Sequence, residues 1–96
     1  MKGGEFNMKQ VILVNSKDNV VTAVSEILEN TTISVNSQII TVKQSISFGH
    51  KIAIDDIKKG EDIIKYGESI GMAKEDIAQG KWVHTHNVEE TYRPPE

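Results

Sequence analysis

Cysteine is absent from this 96-residue chain. That excludes disulfide staples, thiolate nucleophiles and a closed structural zinc site, and it fits a cytoplasmic protein. Basic character is missing too. Eleven Lys and Arg stand against 14 Asp and Glu, a formal charge of −3. No basic stripe exists to neutralise a phosphate backbone, so nucleic acid is not expected as a partner. Long apolar runs are lacking. The longest is Val11-Ile12-Leu13-Val14, too short for a bilayer span or a signal-peptide core, so no membrane association is expected. Leucine and aromatics are scarce: 2 Leu against 13 Ile and 9 Val, with 2 Phe, 2 Tyr and 1 Trp. β-Branched side chains are stiff at χ1 and suit a pleated sheet, whereas a small helical bundle would draw on Leu and Ala. A single small, mainly β domain with short elements and a thin aliphatic core follows.

Read for organisation, residues 1–7 (MKGGEFN) look like an expression remnant ahead of a natural start at Met8. Residues 8–88 form the domain, and 89–96 form a polar tail, expected to be extended. Lys9 to Val14 reads as a first strand. Val20, Val21, Val24, Ile27 and Leu28 fall on one helical face, so a short helix capped by Ser16 or Asp18 is expected there. Ile33–Val35 and Gln38–Val42 read as a hairpin around Asn36-Ser37. Lys65-Tyr66-Gly67-Glu68 reads as a second tight turn between strands.

A repeat is the strongest organisational signal. Ala53, Asp56, Ile57, Gly60 and Ile63 recur 20 residues later as Ala73, Asp76, Ile77, Gly80 and Val83. Ala23, Glu26, Ile27, Asn30 and Ile33 form a third copy. Val42, Ser45, Ile46, Gly49 and Ile52 form a weaker fourth. The unit is legible chemically. The acid or Ser caps one short helical turn, and the Ile enters the core. Gly or Asn takes the left-handed conformation that ends the turn, and the last aliphatic residue opens a strand.

Four polar clusters could carry chemistry. In Lys81-Trp82-Val83-His84-Thr85-His86-Asn87, a strand over Trp82–His86 would place His84 and His86 on one face. There they could share a metal or an anion, with the Asn87 amide beside them. Two solvated surface histidines are the other reading. Gly49-His50-Lys51 offers close backbone approach and cationic character, or a simple polar turn. At the second hairpin tip Lys65 could hold a carboxylate and Glu68 could move a proton, or the two are an ordinary exposed pair. Asp18-Asn19 reads as a helix cap. No nucleophile triad, P-loop or dinucleotide fingerprint occurs.

Taken in order, several runs resemble the SAF domain of the altronate dehydratase and D-galactarate dehydratase family, to which sulfolactate sulfo-lyase also belongs. They are Asp18-Asn19-Val20, Gly49-His50-Lys51-Ile52-Ala53, Asp56-Ile57 with Gly60, Ile64-Lys65-Tyr66-Gly67-Glu68 with Ile70-Gly71, Asp76-Ile77 with Gly80, and Trp82-Val83-His84-Thr85-His86-Asn87. Asn30, where glycine is commoner, and the approach Gln44–Phe48 depart from the pattern. The resemblance implies a β-clip (SAF-like) fold with short helical turns. It implies a carbon–oxygen hydro-lyase acting on a sugar acid, first of all altronate, with a divalent metal, Fe2+ or else Mn2+. It also implies a stand-alone small subunit, inactive until a separate large catalytic subunit completes the site. On this reading His84, His86 and His50 are the catalytic candidates, and His84 and His86 the metal ligands. Lys51, Lys65, Glu68 and Asn87 are the substrate-binding candidates. Two alternatives stay open: a sulfolactate sulfo-lyase small subunit, and a non-catalytic module for carbohydrate-acid binding or assembly. Free strand edges also admit a homo-oligomer when the partner is missing.

Overall fold

The computed structural model describes residues 10–90. Residues 1–7, read as a remnant, and residues 91–96 of the tail lie outside that range. Nine short strands follow in order: β1 (Val11–Ile12), β2 (Val20–Ala23), β3 (Thr32–Val35), β4 (Gln38–Thr41), β5 (Lys51–Ala53), β6 (Asp62–Lys65), β7 (Glu68–Ala73), β8 (Trp82–Val83) and β9 (Val88–Glu89). All pairings are antiparallel. They form one sheet in the order β1-β2-β5-β8, the hairpin β3-β4, and a three-stranded sheet β6-β7-β9. The mainly β expectation holds.

No helix occurs among the described residues. The segment expected to be helical is instead strand β2 followed by a non-helical turn. Val20, Val21, Val24 and Ile27 imitate a helical spacing. Within β2 the side chains instead alternate across a pleat, Val20 facing one core and Val21 with Ala23 the other. Both hairpins are where the sequence puts them. Asn36 and Ser37 (φ 52° and 66°) close β3-β4, and Tyr66 and Gly67 (φ 59° and 76°) close β6-β7. Positive φ at both central residues suits the right-handed twist of the flanking strands. Glu89, assigned to the tail, lies in β9 opposite Met72.

The four repeat copies make four turns that pair two by two. The residues that end the four turns, Asn30, Gly49, Gly60 and Gly80, all take positive φ, from 72° to 92°. Ile27 and Ile46 exchange two backbone hydrogen bonds, as do Ile57 and Ile77. Around each exchange lies a second reciprocal pair. Asn30 N–H donates to Val42 O while Gly49 N–H donates to Ala23 O; Gly60 N–H donates to Ala73 O while Gly80 N–H donates to Ala53 O. The caps are crossed as well. Asp56 Oδ1 accepts from Gln79 N–H at 2.8 Å, and Asp76 Oδ1 accepts from Lys59 N–H at 2.9 Å. The repeat's acid therefore caps the partner turn, not its own, and starts no helix.

The chain thus runs the same course twice: strand, turn, hairpin, turn. Ala23, Ile27, Asn30 and Ile33 match Ala53, Ile57, Gly60 and Ile63. Past a bulge at Ile63/Ile64, Val42, Ile46, Gly49 and Ile52 match Ala73, Ile77, Gly80 and Val83. Each course has its own core. The first gathers Ile27, Ile33, Ile40, Val42 and Ile46 with Ile52 and Ile54 of the second course. The second gathers Ala53, Ile57, Ile63, Ala73, Ile77 and Val83 with Val20 of the first.

Candidate functional site

The site grows from the junction of β5 and β8, where Lys51 pairs with Val83 and Ile52 with Trp82. Alternation along both strands separates the two faces. Ile52 and Trp82 pack on the first core, Ala53 and Val83 in the second. His50 therefore falls on the Trp82 side and Lys51 on the opposite one. The His50 ring lies 5.4 Å from the Trp82 ring and 5.2 Å from His84. His84 stacks on Trp82 at 5.1 Å and 10°, and His86 tilts against the same indole at 4.8 Å. All three histidines of the chain meet around its single tryptophan.

One hydrogen bond sets the chemistry of this group. Trp82 Nε1–H donates to His50 Nδ1 at 2.9 Å. An indole nitrogen can only donate, so His50 Nδ1 must be an unprotonated acceptor. The neutral ring then carries its proton on Nε2, which is the nitrogen left to meet a ligand.

The strand expected over Trp82–His86 stops at Val83, and residues 84–87 form a turn. Asn87 is the reason. It is 3% exposed, its Oδ1 accepts from His84 N–H at 2.9 Å, and its Nδ2 donates to Trp82 O at 2.8 Å. The amide expected to touch substrate instead holds the turn that presents the two imidazoles.

On the other face, Lys51, Ile70, His84, Thr85, Val88 and Glu90 line an open groove of about 210 Å3. It has an aliphatic floor, one ammonium, one imidazole and one carboxylate. His84 belongs to both the groove and the aromatic group. Lys65 and Glu68 pair across the second hairpin tip, where Lys65 Nζ sits 4.0 Å over the Tyr66 ring, and neither lines this groove. The structure thus gathers His50, His84, His86 and Lys51, turns Asn87 inward and leaves Lys65 and Glu68 at the tip. Among the described residues no three His, Asp or Glu side chains converge as a metal-binding group. With His50 Nδ1 engaged by Trp82, His84 and His86 are at most part of a ligand set, and the residues present do not make a complete metal site.

Two residues escaped the sequence reading. Trp82 organises all three imidazoles; the alternation Trp82, His84, His86 was the available signal. Glu90 lines the groove but sits in a polar tail with nothing to distinguish it.

The family described as altronate/galactarate dehydratase SAF domain matches residues 9–91. Altronate dehydratase of Escherichia coli (strain K12) is 46% identical over 79 residues, covering 82% of this chain and 16% of that protein. Altronate dehydratase of Bacillus subtilis (strain 168) is 40% identical over 81 residues, covering 84% and 16%. The (2R)-sulfolactate sulfo-lyase subunit alpha of Chromohalobacter salexigens is 49% identical over 47 residues, covering 49% of this chain and 50% of that subunit. The chain spans about one sixth of the length of the two altronate dehydratases. No helix among the described residues is long and apolar enough to cross a membrane.

Proposed function

The chain belongs to the altronate/galactarate dehydratase SAF-domain family, and on that premise we propose that it is the small part of a cytoplasmic sugar-acid dehydratase acting first of all on altronate. The observation that carries this reading is the match to two altronate dehydratases over 82% and 84% of the chain. The rest of the active site belongs to a large polypeptide corresponding to the remaining five sixths of those relatives. A groove this open and small cannot enclose a six-carbon acid by itself, since ligand sites are concave and commonly lie between domains.

The geometry supports a division of roles. Elimination of water from a 2,3-dihydroxy acid removes the α-proton, breaks the β C–O bond and gives an enol that tautomerises to a 2-oxo acid. Lys51, beside the aliphatic floor, holds the substrate carboxylate as negative charge develops. His84 sits in the same groove and exchanges a proton there. His50 lies outside the groove on the Trp82 face, with its ring 5.2 Å from that of His84, and acts through His84. If a divalent metal is bound, His84 and His86 would hold it together with ligands from the large polypeptide, and it would supply Lewis acidity to the carboxylate.

Reconstitution tests this. The chain combined with the large polypeptide is expected to convert altronate to a 2-oxo acid, and the chain alone is expected to be inactive. Turnover by the purified, metal-supplemented chain alone would refute the shared site. His84→Ala and His86→Ala variants that keep kcat and lose only assembly would make the domain a non-catalytic module. A second reading has its own support: the sulfolactate relative is a separate subunit half covered by the match. Sulfite release from sulfolactate, without altronate turnover, would select it.

A further inference from the structure

The doubled course of the chain lets one half serve as the control for the other. Of six exposed large apolar residues among the described ones, five lie in the first half or just before it: Ile12, Val14, Leu28, Ile39 and Phe48; Tyr66 alone of these six lies in the second. The two turn pairs share one backbone plan, yet their outward residues differ. Leu28 stands where the second pair has Lys58, and Phe48 stands where it has Gln79. Leu28 is 62% exposed and Phe48 71% exposed, whereas Gln79 folds back and donates from Nε2 to Ile54 O at 2.9 Å. The fold therefore demands neither Leu nor Phe at these places. The hairpins differ in the same sense. Ile70, at the bulged position matching Ile39, is covered by packing against the second core beside Val88 of β9. Among the described residues no strand plays that part for Ile39, which is 66% exposed.

We propose that the first turn pair, through Leu28 and Phe48, is the surface on which the large catalytic polypeptide docks. This rests on the reading given under Proposed function. Two observations select that occupant. The altronate dehydratase relatives carry about five sixths of their length beyond the matched segment, and that remainder is the polypeptide that the shared site requires. Phe48 is also joined to His50 through Gly49 alone. A partner seated on Phe48 is thereby brought to the edge of the group formed by His50, Trp82, His84 and His86. A buried aromatic anchor beside a polar site is the usual form of an interface hot spot.

The second half supplies the test variant: Leu28→Lys with Phe48→Gln, the residues that the same backbone already carries at Lys58 and Gln79. The tagged chain is co-expressed with the large polypeptide from the same genome that matches the remainder of altronate dehydratase, and affinity is measured on the purified components. Wild type and the control Lys58→Leu are expected to bind equally. The double variant is expected to bind at least about tenfold more weakly, with an unchanged urea midpoint. Equal binding by the double variant overturns the docking surface and leaves the dehydratase reading standing. No binding by wild type overturns both. A wild-type homodimer that the double variant abolishes assigns the surface to a second copy and overturns this proposal.

Discussion

At the scale of single residues, the Trp82–His50 hydrogen bond decides what His50 can do. With Nδ1 accepting from the indole, the ring presents an N–H at Nε2, a disposition suited to donating a hydrogen bond and not to abstracting a proton. Trp82→Phe keeps an aromatic surface for His84 and His86 but removes the only indole donor. Its expected result is a mixture of both neutral His50 tautomers in nitrogen-15 NMR, where wild type shows the Nε2–H form. The stability loss should be about 1 kcal/mol in urea unfolding, as for one net hydrogen bond. An unchanged tautomer would show that something other than the indole sets the ring. The residue types at this site were legible because His50, His84 and His86 stand out in a chain with three histidines. Their assembly was not. A strand was inferred from alternation, and the buried Asn87 amide ends that strand at Val83 by bonding across the turn.

At the scale of elements, the paired turns separate two causes of glycine preference. Gly60 and Gly80 have nearly the same φ, 88° and 92°. A Cβ at Gly60 would meet nothing within 4 Å, whereas one at Gly80 would run into Thr41 O and lie 3.2 Å from Lys43 Cγ. Gly60→Ala therefore measures backbone strain alone, expected to cost about 1–2 kcal/mol. Gly80→Ala adds a collision with backbone and is expected to cost more than Gly60→Ala by at least about 1 kcal/mol. Equal losses in thermal or urea unfolding would contradict the close approach of Gly80 to β4. The turn itself was visible beforehand, because the repeated Gly answers a local demand of the backbone and the repeated Ile enters the core. The crossed caps were not visible. The carboxylate of Asp56 accepts from Gln79, 23 residues away, and spacing alone reads such an acid as capping its own turn.

At the scale of the whole molecule, the two courses are interlocked instead of merely adjacent. Val20 of β2 fills the second core, and Ile52 of β5 fills the first. The loop before β2 ties them again. The carboxylate of Asp18, 5% exposed, accepts from Gly67 N–H at 2.8 Å and Asn15 N–H at 3.1 Å. Beside it, Asn19 Oδ1 accepts from Ile64 N–H at 2.8 Å, while its Nδ2 donates to Asp62 O at 2.9 Å. In sequence Asp18-Asn19 looks like a helix cap, since all partners of its side chains but Asn15 lie 43 to 49 residues further on and leave no local trace. Because each core borrows side chains from the other course, neither should melt alone. Ile46→Ala in the first core and Ile77→Ala in the second each delete a side chain at most 2% exposed. Each is expected to cost about 2–5 kcal/mol. Each should also move one common transition, with Trp82 fluorescence and far-ultraviolet circular dichroism coincident, as for a two-state domain. If Ile77→Ala instead splits the transition, with Trp82 reporting a different midpoint from the backbone signal, the two courses are separate folding units. In that case the shared strands β2 and β5 join them without coupling them.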